Sequence, residues 1–187
     1  MFIQTEQTPN PATLKFLPGR PVMDSGVADF TDPEDAARSP LARHLFELGG
    51  VTAIFFGADF VTVTKSGDAD WQVIKPLVLG AIMDHYTSGQ PILAADASAD
   101  VDDVMEDDDA DPDVIDQIKE LIETRVRPAV AQDGGDIIYK GFKGGTVFLH
   151  MRGACAGCPS STMTLKHGIE NMLRHYVPEV TQVEAVV

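Results

Sequence analysis

The chain has very little cysteine: Cys155 and Cys158 are the only two in 187 residues. So small a number excludes a disulfide framework and is typical of a reducing compartment. No apolar run approaches the roughly 20 residues that a membrane-spanning helix needs, so no membrane association is predicted. The N-terminal sequence lacks both a basic signal region and an Arg-rich presequence. We therefore expect a cytoplasmic protein.

Basic residues are also scarce, with 14 Lys and Arg against 29 Asp and Glu and a net charge of −15. Residues 94–113 carry ten acidic residues and no basic one, whereas 114–187 carry eight of each. No segment has the basic excess that contacts to phosphates require. The composition therefore argues against nucleic-acid binding.

The acidic stretch predicts how the chain is divided. Like charges repel, and its apolar content is too low to offset the entropy of ordering, so 93–111 is predicted to be a flexible linker. A role in binding a basic partner is the less favoured reading. The linker separates a domain at 1–92 from a domain at 112–187. The predicted fold class is α/β (α+β), with two small mixed α/β domains.

The first domain shows alternating strand and helix patterns but no chemical motif. Its predicted elements are strands at Phe2–Gln7 and Thr13–Leu17, a helix from Pro40 to Leu48 behind the N-cap Ser39, a hairpin of Val51–Phe56 with Phe60–Lys65, and a final helix. One face of that helix is predicted to hold Trp71, Ile74, Leu77, Val78, Ala81, Ile82 and His85. We found no metal-ligand cluster, phosphate loop or nucleophile–base pair in this sequence. The domain is interpreted as a binding module.

The second domain has the predicted order α-β-β-α-β. Asp111 and Pro112 open the first helix, whose apolar stripe extends to Val126. The later elements are a turn at 133–136, strands Ile137–Phe142 and Thr146–Met151, a helix from Pro159, and a strand Val180–Val187. The two cysteines fall between the second strand and the second helix.

That position has a predicted chemical consequence for the cysteines. Unpaired N–H groups and the positive end of a helix favour thiolate over thiol. Glycines beside the pair would let the backbone turn tightly, and two serines would bond to first-turn N–H groups or, less favourably, to a cofactor. These supporting residues are Gly153, Gly157, Ser160 and Ser161.

A CxxC pair leaves several functions open. It supplies half of a four-thiolate metal site, which only a second copy or a partner can complete here, or it acts as a dithiol–disulfide oxidoreductase of the thioredoxin type. The predicted antiparallel hairpin and the glycine-bordered loop favour the metal or cluster site. Completion within one chain by His150 or His167 is less favoured, since neither spacing is a usual zinc pattern. A zinc-bridged structural dimer also remains possible.

These residues resemble a known family. The runs 126–142, 153–161 and 164–173 resemble the NifU-like C-terminal domain of the Nfu iron–sulfur scaffold and carrier family. The runs 4–11 and 14–16 look like that family's N-terminal domain. The acidic linker is the unmatched part.

The resemblance implies a [4Fe–4S] cluster, one per homodimer, with Cys155 and Cys158 of each chain as its ligands. It implies transfer of the cluster to apo-proteins rather than catalysis, with client docking by the N-terminal domain. Upstream scaffold proteins are possible further partners. Members occur in bacterial cytoplasm, which the sequence favours, and in the mitochondrial matrix, which is the alternative.

Overall fold

The computed structural model describes residues 1–94, 107, 111–157 and 159–186, with the side chains of 159–161 excepted. It divides the chain into two compact units, Met1–Val101 and Asp102–Val187. Each unit has its own buried core. Within the described residues, no helix combines the length and apolar character needed to cross a bilayer.

The elements of the first unit are β1 Gln4–Gln7, β2 Thr13–Leu17, β3 Ala28–Phe30, a 3₁₀ turn Asp35–Arg38, α1 Pro40–Glu47, β4 Val51–Phe56, β5 Val61–Lys65 and α2 Trp71–Ser88. The strands form an antiparallel sheet in the order β1-β2-β5-β4-β3. Ser39 caps α1 as predicted, because its Oγ accepts a hydrogen bond from the Ala42 amide (3.2 Å). The predicted hairpin is confirmed as β4 and β5.

The sequence prediction misses β3 and misplaces one residue of α2. Leu77 belongs to the predicted apolar face, yet it is 45% exposed, whereas Ile74, Val78 and His85 are buried. At 100° per residue, Leu77 lies at the edge of the stripe that these residues define.

The second unit has the predicted order α-β-β-α-β. Its elements are α3 Pro112–Leu121, a π turn Ile122–Val126, α4 Arg127–Gln132, β6 Gly135–Lys143, β7 Thr146–Gly153, α5 Pro159–Tyr176 and β8 Gln182–Val186. β6 and β7 form the predicted antiparallel hairpin, and β8 pairs with β7 in parallel. In β7, Val147, Leu149 and Met151 are buried, as the alternating pattern predicts.

The apolar stripe suggested one regular helix up to Val126, but the first helical region of this unit is interrupted. The wider π turn Ile122–Val126 comes just before Pro128, which lies in the first turn of α4. A proline ring clashes with the carbonyl group four residues earlier in a regular helix, so the wider turn relieves that contact.

Both ends of the predicted linker have described contacts. Leu93 packs against the first core, and the Ala94 amide donates to the Arg38 carbonyl (2.8 Å). At the other end, the Asp111 carboxylate caps α3 by accepting from the Asp113 amide (3.1 Å). Residues 95–106 and 108–110 lie outside the description, so the predicted flexibility of the linker stays a prediction.

Candidate functional site

Cys155 lies in the turn that joins β7 to α5. It is a free cysteine, and only 6% of its surface is exposed. The Ala156 amide donates to the Gly153 carbonyl (3.1 Å), and the Thr162 hydroxyl donates to the Cys155 carbonyl (3.0 Å). The turn is therefore bonded to the strand before it and to the helix after it. Cys158, the other predicted ligand, lies outside the described residues.

The turn at 133–136 packs directly against this loop. The Ala154 amide donates to the Gly134 carbonyl (3.1 Å). A Cβ atom added at Gly135 would lie 2.5 Å from the Cys155 sulfur and 2.7 Å from the Arg152 carbonyl oxygen. Gly135 therefore permits an approach of backbone to sulfur that any side chain would prevent. The sequence showed a turn here, but nothing in it indicated this contact.

An ion pair between Arg127 and Asp136 holds the turn at 133–136 against α4. Nε and Nη2 of Arg127 each donate to a different carboxylate oxygen of Asp136 at 2.8 Å, and Nη1 donates to Glu123 (2.7 Å). The Asp136 side chain is only 6% exposed, and it also accepts from the Ile137 amide (2.9 Å). Bidentate pairs of this kind fix geometry as well as charge. The ion pair joins α4 to the start of β6, beside the cysteine loop.

The pKa of Cys155 contradicts the prediction that the loop favours the thiolate over the thiol. Burial, and then the negative charges of Asp133 and Asp136, raise the pKa of the Cys155 thiol to about 12. The prediction considered only the helix N-terminus, which favours the thiolate. The loss of solvation and the two carboxylates outweigh that effect. The cluster-free protein therefore holds Cys155 as a neutral thiol.

The supporting residues of the loop are only partly described. Gly153 and Gly157 have φ angles of 62° and 77°, so both occupy the left-handed region that favours glycine. Open space surrounds the position that a Cβ atom at Gly157 would take. The side chains of Ser160 and Ser161 lie outside the description, so their roles stay predictions.

The histidines do not gather at the loop. His150 is half-buried on β7, and His167 is exposed on α5. Among the described residues, no group of three or more His, Cys, Asp or Glu side chains is arranged to hold a metal ion. The described residues thus give no support to a site completed by histidine within one chain.

The arrangement suits a metal-binding thiol better than a nucleophile. A nucleophilic cysteine needs a depressed pKa, and that of Cys155 is raised. A soft metal deprotonates a thiol that coordinates it, so a raised pKa in the empty site does not prevent ligation. The sulfur donor and the glycine-rich turn around it therefore fit an iron–sulfur group.

Comparison with known proteins identifies both units. The family model described as "Scaffold protein Nfu/NifU N terminal" matches residues 3–89, and that described as "NifU-like domain" matches residues 118–184.

Two curated relatives and one solved structure illustrate the likeness. "NifU-like protein 4, mitochondrial" of Arabidopsis thaliana is 55% identical over 98% of this chain and 65% of its own length. "NFU1 iron-sulfur cluster scaffold homolog, mitochondrial" of Homo sapiens is 51% identical over 100% of this chain and 72% of its own length. The solution NMR structure of a NifU-like protein from Saccharomyces cerevisiae is 28% identical, with a TM-score of 0.45, and covers 51% of this chain and 87% of that one.

Proposed function

The chain belongs to the Nfu/NifU-like family of iron–sulfur scaffold proteins, and we propose that it carries a [4Fe–4S] cluster between two copies of itself. Each copy contributes Cys155 and Cys158. The cluster is cargo, which the protein delivers to apo-proteins, so the chain acts as a carrier and not as an enzyme. The first unit docks the clients.

The observation that carries this proposal is the state of Cys155. It is a buried free thiol held in a glycine-rich turn, and the whole chain has only one other cysteine. Two thiols cannot complete a four-thiolate site, so a second copy is the simplest source of the other two. The site is then incomplete in one chain.

Charge favours residues 114–187, the part of the second unit that contains the cysteine loop, over the acidic stretch as the holder of the cluster. Four thiolates on a [4Fe–4S]²⁺ core leave a net charge of about −2. Residues 114–187 have a net charge of zero, whereas 94–113 have −10. An anion is accepted more readily where no excess of negative charge opposes it.

The thioredoxin-like alternative is not favoured. An attacking thiol must ionise near neutral pH, and burial beside two carboxylates opposes that at Cys155. The topology does not separate the two alternatives, although the sequence predicted that it would, because β7, α5 and β8 form a parallel βαβ unit with the loop between β7 and α5. The family relationship favours the carrier.

The names of the relatives bear on the compartment and the partners. Both curated relatives described above are named as mitochondrial. We therefore propose the mitochondrial matrix, which was the alternative of the sequence prediction, over the cytoplasm. Apo iron–sulfur proteins are the proposed receivers of the cluster, and an upstream scaffold is a proposed donor.

Anaerobic reconstitution of the full chain with iron and sulfide tests the proposal. We expect about two iron and two sulfide per chain, in a dimer whose native mass falls to that of the monomer when a chelator removes the cluster. Cys155→Ala should abolish loading. Zinc without sulfide, or reductase turnover by the metal-free monomer, would overturn the proposal.

His167→Asn is the matched control, because it removes the exposed histidine of the competing single-chain site. We expect it to load the same iron and sulfide as the natural sequence. If this variant loaded no cluster, and the natural sequence were a monomer when loaded, the result would favour completion of the site by histidine within one chain.

A further inference from the structure

The second unit has a small notch that binds a carboxylate, and the carboxylate is that of Asp107. The Tyr139 hydroxyl donates to Asp107 Oδ1 (2.5 Å), and the Phe142 amide donates to the same oxygen (3.0 Å). Lys119 Nζ lies 3.8 Å from Asp107 Oδ2. Two donors from β6 and a cation from α3 thus converge on one side chain of the acidic stretch 94–113, which is called the acidic segment below.

The notch is built on a buried aromatic side chain. Tyr139 is 9% exposed and belongs to the core of the second unit, and Lys119 Nζ lies 5.1 Å from the centre of its ring. Burial and the hydrogen bond to Asp107 raise the pKa of the Tyr139 hydroxyl, so the group stays a donor. The contact is therefore more than a surface ion pair, which alone would contribute little.

The notch lies at an edge of the sheet of the second unit. Among the described strands, β6 pairs only with β7, so its other side is a sheet edge. Such an edge exposes backbone donors to pairing with another chain, and the Asp107 carboxylate covers the one at Phe142. The register also shifts between Tyr139 and Gly141, which further interrupts the edge.

The notch is also far from the cysteine loop. Gly135 pairs with Gly153 at the loop end of the hairpin, and Phe142 pairs with Val147 near the other end. At about 3.3 Å per residue, roughly 20 Å of strand separates Phe142 from Gly135.

We propose that this notch is a carboxylate-binding site whose natural occupant is Asp107 of the same chain. Asp107 anchors the acidic segment to the far end of β6, covers the sheet edge there and keeps that end of the segment away from Cys155. The anchor involves neither cysteine, so its test is independent of cluster binding.

Amide exchange of the full-length, cluster-free chain tests the anchor at Phe142. A hydrogen bond to a charged group contributes about 1.5–3 kcal/mol, so Asp107→Ala should speed exchange of the Phe142 amide by about 10- to 100-fold. Asp107→Asn keeps an oxygen acceptor and should give a smaller increase. The Leu149 amide on β7 is the internal reference, because general unfolding would speed both amides together.

Asp103→Ala is the matched control, since it removes one acidic residue from the same run. We expect it to leave Phe142 exchange unchanged. Equal acceleration by both variants, or none with Asp107→Ala, would overturn the anchor. Protection of Phe142 that rises with protein concentration would also overturn it, because the occupant would then be Asp107 of a second copy.

Discussion

Gly135, which has no side chain, allows the backbone to lie directly against the Cys155 sulfur. The Cys155 sulfur and the Arg152 carbonyl occupy the space that a Cβ atom at residue 135 would take. Both are fixed, since Arg152 is in β7 and Cys155 is buried in the following turn. A flexible side chain would move aside, but strand backbone does so only at a cost.

Gly135→Ala should therefore destabilise the second unit of the cluster-free protein by about 1–3 kcal/mol, because overpacking forces backbone to shift. It should also expose Cys155 and speed its alkylation. Amide exchange of β7 residues measures the first effect, and mass spectrometry of the alkylated protein measures the second.

Gly168→Ala is the control for this substitution. Gly168 lies in α5, where nothing lies within 4 Å of an added Cβ atom. Alanine there should be neutral or stabilise the helix by about 0.5–1 kcal/mol. Equal stability of the two variants would show that the contact at Gly135 does not constrain the loop.

At the scale of the element, the sequence correctly predicted the helix starts and hairpins that neighbouring residues determine. Ser39 and Pro40 gave the start of α1, and glycine with alternating residues gave the hairpins. The three-residue β3 was missed because so short a strand has too few residues to show alternation. The contact of Gly135 with Cys155 was missed for another reason: it joins residues from different elements, and only the packed hairpin brings them together.

The packing of α1 against α2 buries a titratable group. His85 on α2 is only 6% exposed, and its Nε2 has no hydrogen-bond partner among the described residues. Burial, and secondarily the charge of His44 on α1, lower the pKa of His85. The sequence placed His85 on the apolar face of α2 without indicating this effect.

The free energy of unfolding of the first unit should therefore fall as the pH falls below about 6.5, the pKa of an unfolded histidine. Below that pH the unfolded chain takes up a proton at His85 that the folded chain resists until its own lower pKa is reached. Urea unfolding between pH 7 and pH 5, followed by the fluorescence of Trp71, measures the loss. His85→Leu should reduce this pH dependence.

His175→Gln serves as the control, because His175 is an exposed histidine of the second unit. It should leave the Trp71 transition unchanged at every pH. An unaltered pH dependence in His85→Leu would assign the acid sensitivity to other groups.

At the scale of the whole molecule, the two units have separate buried cores. Leu45 belongs to the core of the first unit and Leu149 to that of the second, and both are fully buried. The only tryptophan, Trp71, packs against the first core and is therefore a probe for that unit alone.

Leu45→Ala and Leu149→Ala should each destabilise their own unit by about 2–5 kcal/mol, through lost burial and the cavity that remains. Each should change the stability of the other unit by no more than about 0.5 kcal/mol, as expected for independent sites, because the two cores share no residue. Trp71 fluorescence follows the first unit, and amide exchange of β6 and β7 follows the second. If Leu149→Ala shifted the Trp71 transition as far as Leu45→Ala does, the two cores would unfold as one. Destabilising the first unit would then also loosen the cysteine loop, and the proposed roles of the two units, client docking and cluster binding, would not be separable by mutation.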